Sequence, residues 1–220
     1  MTAFLLKLII CIAIFFSIFV NAFGQDEDLF EEEIQSLEKK SIQLFLNANL
    51  QFASAFGEFG GYSGIGVGAI FFDRFSLTLG FDNLSYTAFR ATFIDEILDE
   101  RPRLTKDYLF AEAGYKFYRI GEESFLISLS IGLGKVKFQT DGARISDDGS
   151  VYAPVFPSQN LTIIQPSVQW LSNWTHWFQT SVYLGYRITN MADYSVDTDT
   201  IRASHFDTPF IGLKLMFGDF

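Results

Sequence analysis

Cysteine occurs once in the 220 residues, at Cys11. It lies inside an N-terminal apolar run with more apolar residues after it, whereas a lipidated cysteine would stand at a cleavage point. Without Cys11 no disulfide framework and no cysteine metal site is possible, so stability must come from ladder hydrogen bonds and packing. Cations are scarce too: 16 Lys and Arg stand against 26 Asp and Glu, for a net charge of −10. An acidic chain with no basic stripe is a poor nucleic-acid binder. No apolar run of helix length follows residue 24, so no helical membrane span is expected there. Long amphipathic helices, the usual home of so many aromatics in a soluble protein, are also missing, although the chain holds 26 phenylalanines.

What is present begins with an export signal. Met1 to Gly24 carries one cation, Lys7, then an apolar stretch from Leu8 to Val20, and ends in Ala22-Phe23-Gly24. Small residues at Ala22 and Gly24 suit a signal peptidase, which places cleavage before Gln25; the alternative is a retained anchor. Removing those 24 of 220 residues leaves 196, enough for one domain. Residues 25–42 then form an acidic segment. Leu29, Phe30, Ile34 and Leu37 have roughly helical spacing, with acids before lysines. It reads as a solvated linker with a marginal helix, since short isolated helices are weak in water; the alternative is a helix that caps the domain.

From residue 43 to 220 the pattern changes to strict alternation. In Gln43 to Phe52, Leu44, Leu46, Ala48, Leu50 and Phe52 share one face, and Gln43, Asn47, Asn49 and Gln51 share the other. A period of two means a strand with one apolar and one polar side. Seven more stretches follow, at about 62–72, 75–83, 108–118, 125–134, 163–170, 178–188 and 209–217. Segments of this kind along a whole chain specify an all-β protein: an eight-stranded antiparallel up-and-down transmembrane β-barrel, apolar outside and polar inside. Closure is required, because an open edge in hydrocarbon leaves backbone groups unpaired. Pro166 cannot donate to a ladder and marks a bulge or weak pairing in the sixth strand.

The gaps alternate as well. Short turns join the second strand to the third, the fourth to the fifth and the sixth to the seventh. The other gaps are long, apart from a modest Gly57–Gly61. Short turns belong on the periplasmic side and long loops outside. Aromatics gather beside the short turns: Phe71 and Phe75; Phe117; Trp170, Trp174 and Trp177. That is the place of a membrane-interface girdle.

These strands and turns, over about Ser41 to Phe220, resemble the small eight-stranded outer-membrane barrel family, which includes the OmpA-like membrane domain and the OmpX-like proteins. The resemblance implies a monomer in the outer membrane of a Gram-negative cell, with no cofactor. Outer-membrane lipids, lipopolysaccharide and the barrel assembly machinery would be its partners, and the long loops would meet an extracellular ligand. Family members often end in an aromatic assembly signal. Here the chain ends LKLMFGDF, so either Phe217 serves, or the register breaks at Gly218 and Phe220 does. The implied role is structural or surface-interactive: membrane stability, adhesion or binding, not a large pore.

Several residues could carry chemistry. Glu112, Lys116, Arg187 and Lys214 fall on the inward side. Unpaired ions in a narrow lumen cost several kcal/mol, so an interior charge network is expected; rearranging pairs would instead make a narrow channel. Glycines at 64, 66, 68, 132 and 134 leave room that inward Phe45, Tyr62, Phe110, Tyr183 and Phe210 either fill or leave as a ligand cavity. A lipid A-modifying enzyme would need a histidine near the outer rim, where His205 stands beside Ser204 and Asp207; His176 is at the wrong end. Adjacent positions are a weak match to a triad, which geometry defines. Asp193, Asp197 and Asp199, or Asp147 and Asp148, lack an EF-hand spacing and read as solvated acids. A soluble lipocalin-like ligand-binding barrel is the rival fold reading, with the apolar face turned inward.

Overall fold

The computed structural model describes residues 42–55, 58–87, 103–139, 144–145, 151–152, 158–196 and 199–220. The signal sequence and all of the acidic segment but Ile42 lie outside this set, as do Asp147, Asp148 and Asp197. Eight strands close into one antiparallel barrel: β1 Ile42–Ala55, β2 Glu58–Phe71, β3 Phe75–Thr87, β4 Arg103–Ile120, β5 Glu123–Gln139, β6 Gln159–Thr175, β7 Phe178–Met191 and β8 Thr208–Gly218. Each pairs with its sequence neighbours, and β8 returns to β1 with Leu50 opposite Leu213. Two short ladders, Arg144–Ile145 with Val151–Tyr152 and Tyr194–Val196 with Asp199–Ile201, lie in the long connections. A 3-10 turn, Ala203–Phe206, precedes β8.

The pleat faces are those of a membrane barrel. Leu44, Leu46, Ile65, Val67, Leu79, Leu109, Leu133 and Leu184 are all exposed, several by more than 60%. The opposite parity holds Asn47, Asn49, Gln51, Thr78, Asp82, Gln165, Gln169 and Lys214, all buried. A soluble protein does not expose a contiguous apolar belt of that size. The lipocalin reading needs the reverse arrangement and is set aside. With every strand edge paired and hydrocarbon-like residues outside, the barrel sits in the outer membrane.

Strand ends depart from the sequence reading. Glu58 already pairs with Ala55, so Gly57–Gly61 is not a loop; only residues 56–57 separate β1 from β2. The fourth strand starts at Arg103, not near Tyr108, and pairs with β5 through Gln139. Above the bilayer a ladder persists while its outward residues become polar, as at Asp107, Lys135, Lys137 and Asn160. The apolar alternation that marks a strand then disappears although the strand does not. Tyr115, read as lipid-facing, is only 4% exposed because the Phe75 ring lies 5.2 Å away. Pro166 does interrupt pairing: the β6–β7 ladder passes from Ile164–Ile188 to Ser167–Gly185 and skips the residues between.

The short-turn end is held tightly. Residues Phe72 and Asp73 both have positive φ, 53° and 55°, and Arg74 N–H donates to Phe71 O at 3.0 Å. Both central residues with φ above zero make a primed hairpin turn that matches strand twist. Asp73 accepts from Lys116 Nζ at 2.7 Å and from Arg119 at 2.5 Å.

Candidate functional site

The lumen is the one place where buried polar chemistry gathers among the described residues, and it is built in layers. At the short-turn end Phe45, Ile70, Leu126, Leu171 and Met216 form an apolar plug, with Phe220 packed against it. The Phe220 ring stands 6.3 Å from that of Phe45, and its N–H donates to His176 O at 2.8 Å. Phe217 points the other way, stacked 6.3 Å from Trp177 and 5.2 Å from Phe178. The two residues expected as alternative assembly signals therefore have separate surroundings, Phe217 among the aromatics Trp177 and Phe178 and Phe220 in the inner mouth. Their opposite parity along the chain is what separates them: Phe220 shares the inward parity of Lys214 and Met216, and Phe217 the outward parity of Ile211 and Leu213.

Above the plug lies an ion pair. Lys214 Nζ donates to Glu112 Oε1 at 2.7 Å; the two side chains are 5% and 13% exposed. Gln169 ties the pair to the wall. Its Nε2 donates to Ser128 Oγ at 2.8 Å and to Glu112 at 3.3 Å, while its Oε1 accepts from Ser181 at 3.3 Å. These residues come from β4, β5, β6, β7 and β8, so closing the barrel is what assembles them.

The next layer outward centres on Asp82 and Arg187. Asp82 accepts from Asn49 Nδ2 at 2.9 Å and from the Tyr108 hydroxyl at 2.7 Å. Arg187, 1% exposed, donates to Gln51 Oε1 at 2.5 Å and lies 4.1 Å over the Tyr62 ring. With its amide oxygen turned to Arg187, Gln165 accepts from Nε at 2.9 Å and from Nη2 at 3.1 Å. A buried guanidinium is thereby given neutral acceptors and an aromatic face, with Asp82 supplying opposite charge nearby.

The four expected interior charges thus separate. Glu112 meets Lys214, Arg187 sits one layer outward, and Lys116 belongs to the Asp73 turn. Sequence reading missed Asp82 as a charge, although its inward parity was visible, and it assigned Lys106 to a loop.

Aromatics and glycines interlock to fill the bore. A Cβ on Gly68 would lie 2.3 Å from the Phe45 ring, on Gly80 2.5 Å from Phe110, and on Gly212 2.2 Å from Tyr183. Where one strand carries glycine, its neighbour's ring occupies the space. Two interior voids beside Glu112 and Lys214 measure about 10 and 20 Å³, and the larger is the size of about one water. An eight-stranded barrel is just wide enough to be filled in this way.

The girdle aromatics sit at the short-turn end. Phe117, Trp170, Trp174 and Trp177 are exposed, and Phe71 and Phe75 are half-buried. Trp174 Nε1 donates to Thr180 Oγ1 at 2.8 Å, and Phe117 lies 6.4 Å from Phe125. His205 is exposed on the 3-10 turn at the opposite end, its Nδ1 accepting from Arg202 N–H at 3.4 Å. Asp207 Oδ1 accepts from Thr189 N–H at 2.7 Å. His176 lies in the turn between β6 and β7. No group of three metal-ligating side chains occurs among the described residues.

No protein-family model matches the chain, and no curated protein does. Among solved structures it is similar to Neisserial surface protein A (NspA), with a TM-score of 0.53 and 10% identity over 81% of this chain and 97% of that one. It is also similar to Ail, the attachment invasion locus protein of Yersinia pestis, with a TM-score of 0.40 and 17% identity over 81% and 96%. A further structure of Ail, in complex with the heparin analogue sucrose octasulfate, matches at 16% identity and the same TM-score. The NspA likeness supports the fold and the looser ones add nothing to it. The chain has the fold of the small eight-stranded outer-membrane barrels.

Proposed function

We propose that this barrel is a surface-interaction protein: a solid membrane anchor that presents its outer connections to an extracellular partner, without catalysis or bulk transport. The observation that carries this reading is the filled bore. Lipid-facing residues fix the protein in the membrane, and among the described residues the two interior voids lined by Glu112 and Lys214 measure only about 10 and 20 Å³, the larger about one water. What the chain can offer a partner is its outer end, where β4 and β5 continue past the apolar belt and the strands flanking 88–102, 140–158 and 192–207 end. Lipopolysaccharide and membrane lipids would surround the belt, and the assembly machinery would read Phe217, which stays on the outward face. The non-enzymatic reading rests on His205, exposed on the outside and facing its own turn.

Two measurements test the proposal. In planar bilayers the refolded protein is expected to give no steady conductance above the lipid baseline. Cells displaying it are expected to bind an extracellular-matrix or epithelial-cell layer, and shortening 88–102 or 140–158 to a tight turn is expected to remove that binding while the barrel still folds. Stable channels, or binding unchanged by both deletions, would overturn it.

A further inference from the structure

Lys106 occupies an unusual position. It stands on the inward side of β4 at the outer end of the bore, directly across from buried Val136, and is 0% exposed. Its Nζ has no hydrogen-bond partner among the described residues. Two rings flank the amine, Phe206 at 5.2 Å and Tyr62 at 5.9 Å from the ring centres. Ring faces attract a cation but supply no acceptor oxygen. Asp82 is engaged by Asn49 and Tyr108; Asp207, held by the Thr189 N–H, is the acid whose charge reaches the amine. Arg187, on the same Tyr62 ring, adds a second positive charge to the layer. A buried ammonium without an oxygen is costly, and natural interiors rarely leave one.

The ring of Phe206, itself only 2% exposed, lies over this amine. Phe206 ends the four-residue 3-10 turn, which packs on β7 and β1. Within the turn, His205 N–H donates to Arg202 O at 3.1 Å and Asp207 N–H to Ser204 O at 3.3 Å. Arg202, Ser204 and His205 are exposed, so the outer side of the turn already meets water. A turn of this length exchanges readily, as short 3-10 segments have poor hydrogen-bond geometry.

The geometry points to a covered anion site: when the Phe206 turn lifts, an anionic oxygen group such as a phosphate enters from outside and pairs with Lys106 Nζ. The shared chemistry is a compact group with several acceptor oxygens, as on a soluble phosphate or a lipid headgroup. This deepens the surface-interaction reading and rests on its assignment of the outer end as the binding end.

The test uses the full mature chain refolded in zwitterionic micelles, with acylation of each lysine followed by peptide mass spectrometry. In the native protein Lys106 should react slowly. Phe206→Ala should speed its acylation by about tenfold or more, and inorganic phosphate should reverse that gain, as a charge-assisted bond is worth at least that factor. In ³¹P NMR, phosphate line broadening should fall with Lys106→Met and persist with Lys135→Gln, a surface control. Repeating the acylation in micelles doped with phosphatidylglycerol assigns the source: protection by the lipid alone names a headgroup, and protection by phosphate names a soluble anion. No protection by either, or equal broadening with Lys106→Met, overturns the site. If Lys106→Met fails to show the heat-modifiable gel shift of a folded barrel, the acylation of wild type and Phe206→Ala decides alone. Failure here with adhesion intact would remove the anion site and leave the surface role standing; loss of adhesion with protection intact would do the reverse.

Discussion

Replacing Lys214 by methionine should be among the most damaging single changes in the lumen. The ion pair to Glu112 is 2.7 Å long. At an effective dielectric of about 20, charges at that distance attract by about 6 kcal/mol. Taking both ions out of water costs several kcal/mol each, so the intact pair contributes little net stability. Removing one member is different. Glu112 would keep a single side-chain donor, Gln169 Nε2 at 3.3 Å, and the barrel should lose about 3–5 kcal/mol. Glu112→Gln should be milder, about 1–3 kcal/mol, because the amide oxygen still accepts from Lys214. The double variant should cost about 2 kcal/mol less than the sum of the two, which is the coupling of the pair. Urea unfolding in phospholipid vesicles, read by the fluorescence of Trp170, Trp174 and Trp177, measures all four corners. A Lys214→Met cost below about 1 kcal/mol, or strict additivity, would refute the claim that the lumen depends on this pair.

Three other outcomes follow from the packing. Gly64→Ala should cost about 2 kcal/mol or more by the same assay, since its Cβ would stand 1.8 Å from Asp82 Oδ1 and 2.6 Å from Phe81 O; Gly121→Ala, at φ +57° in open space, should cost only about 1 kcal/mol. Leu79→Arg, in the middle of the exposed belt, should cost about 2–4 kcal/mol in vesicles, and an unaffected midpoint would mean that this face does not meet lipid. Phe72→Asn should raise stability by up to about 1 kcal/mol, because a bulky residue at φ 53° is strained and asparagine tolerates that region; a loss would show that the Phe72 ring contributes more to the interface than its backbone costs.

The membrane-crossing part of this fold was legible because lipid demands a period of two. Leu44 through Phe52 and Phe125 through Leu133 announce their faces residue by residue, and closure then follows from unpaired edges. Beyond the belt the demand lapses. Glu58 and Arg103 are strand residues outside the alternating stretches, and nothing in the sequence beside them separates a ladder from a loop. Inside the bore, parity can turn Asp82, Glu112, Arg187 and Lys214 inward but cannot say which of them meet. That is set by the stagger between strands far apart in sequence, which brings Lys214 to Glu112 and leaves Lys116 a turn's length away beside Asp73. Lys106 was hidden for both reasons at once, lying past the belt and gaining its ring neighbours from β2 and the 3-10 turn.

The missing rungs at Pro166 give the wall a grain. Between β6 and β7 the ladder skips Gln165 and Pro166 on one side and Tyr186 and Arg187 on the other, and Gly185 admits the Pro166 carbonyl so closely that a Cβ would lie 2.4 Å from it. In the other ladders the irregularities lie nearer the strand ends, at Gly61–Tyr62 and Lys116–Tyr118, and the middle of each is paired without a gap. Thermal breathing of the cylinder therefore starts at this stretch, and deuterium should enter the amides of Arg187 and Ser167 sooner than those of Leu50 and Leu213 on the closing seam.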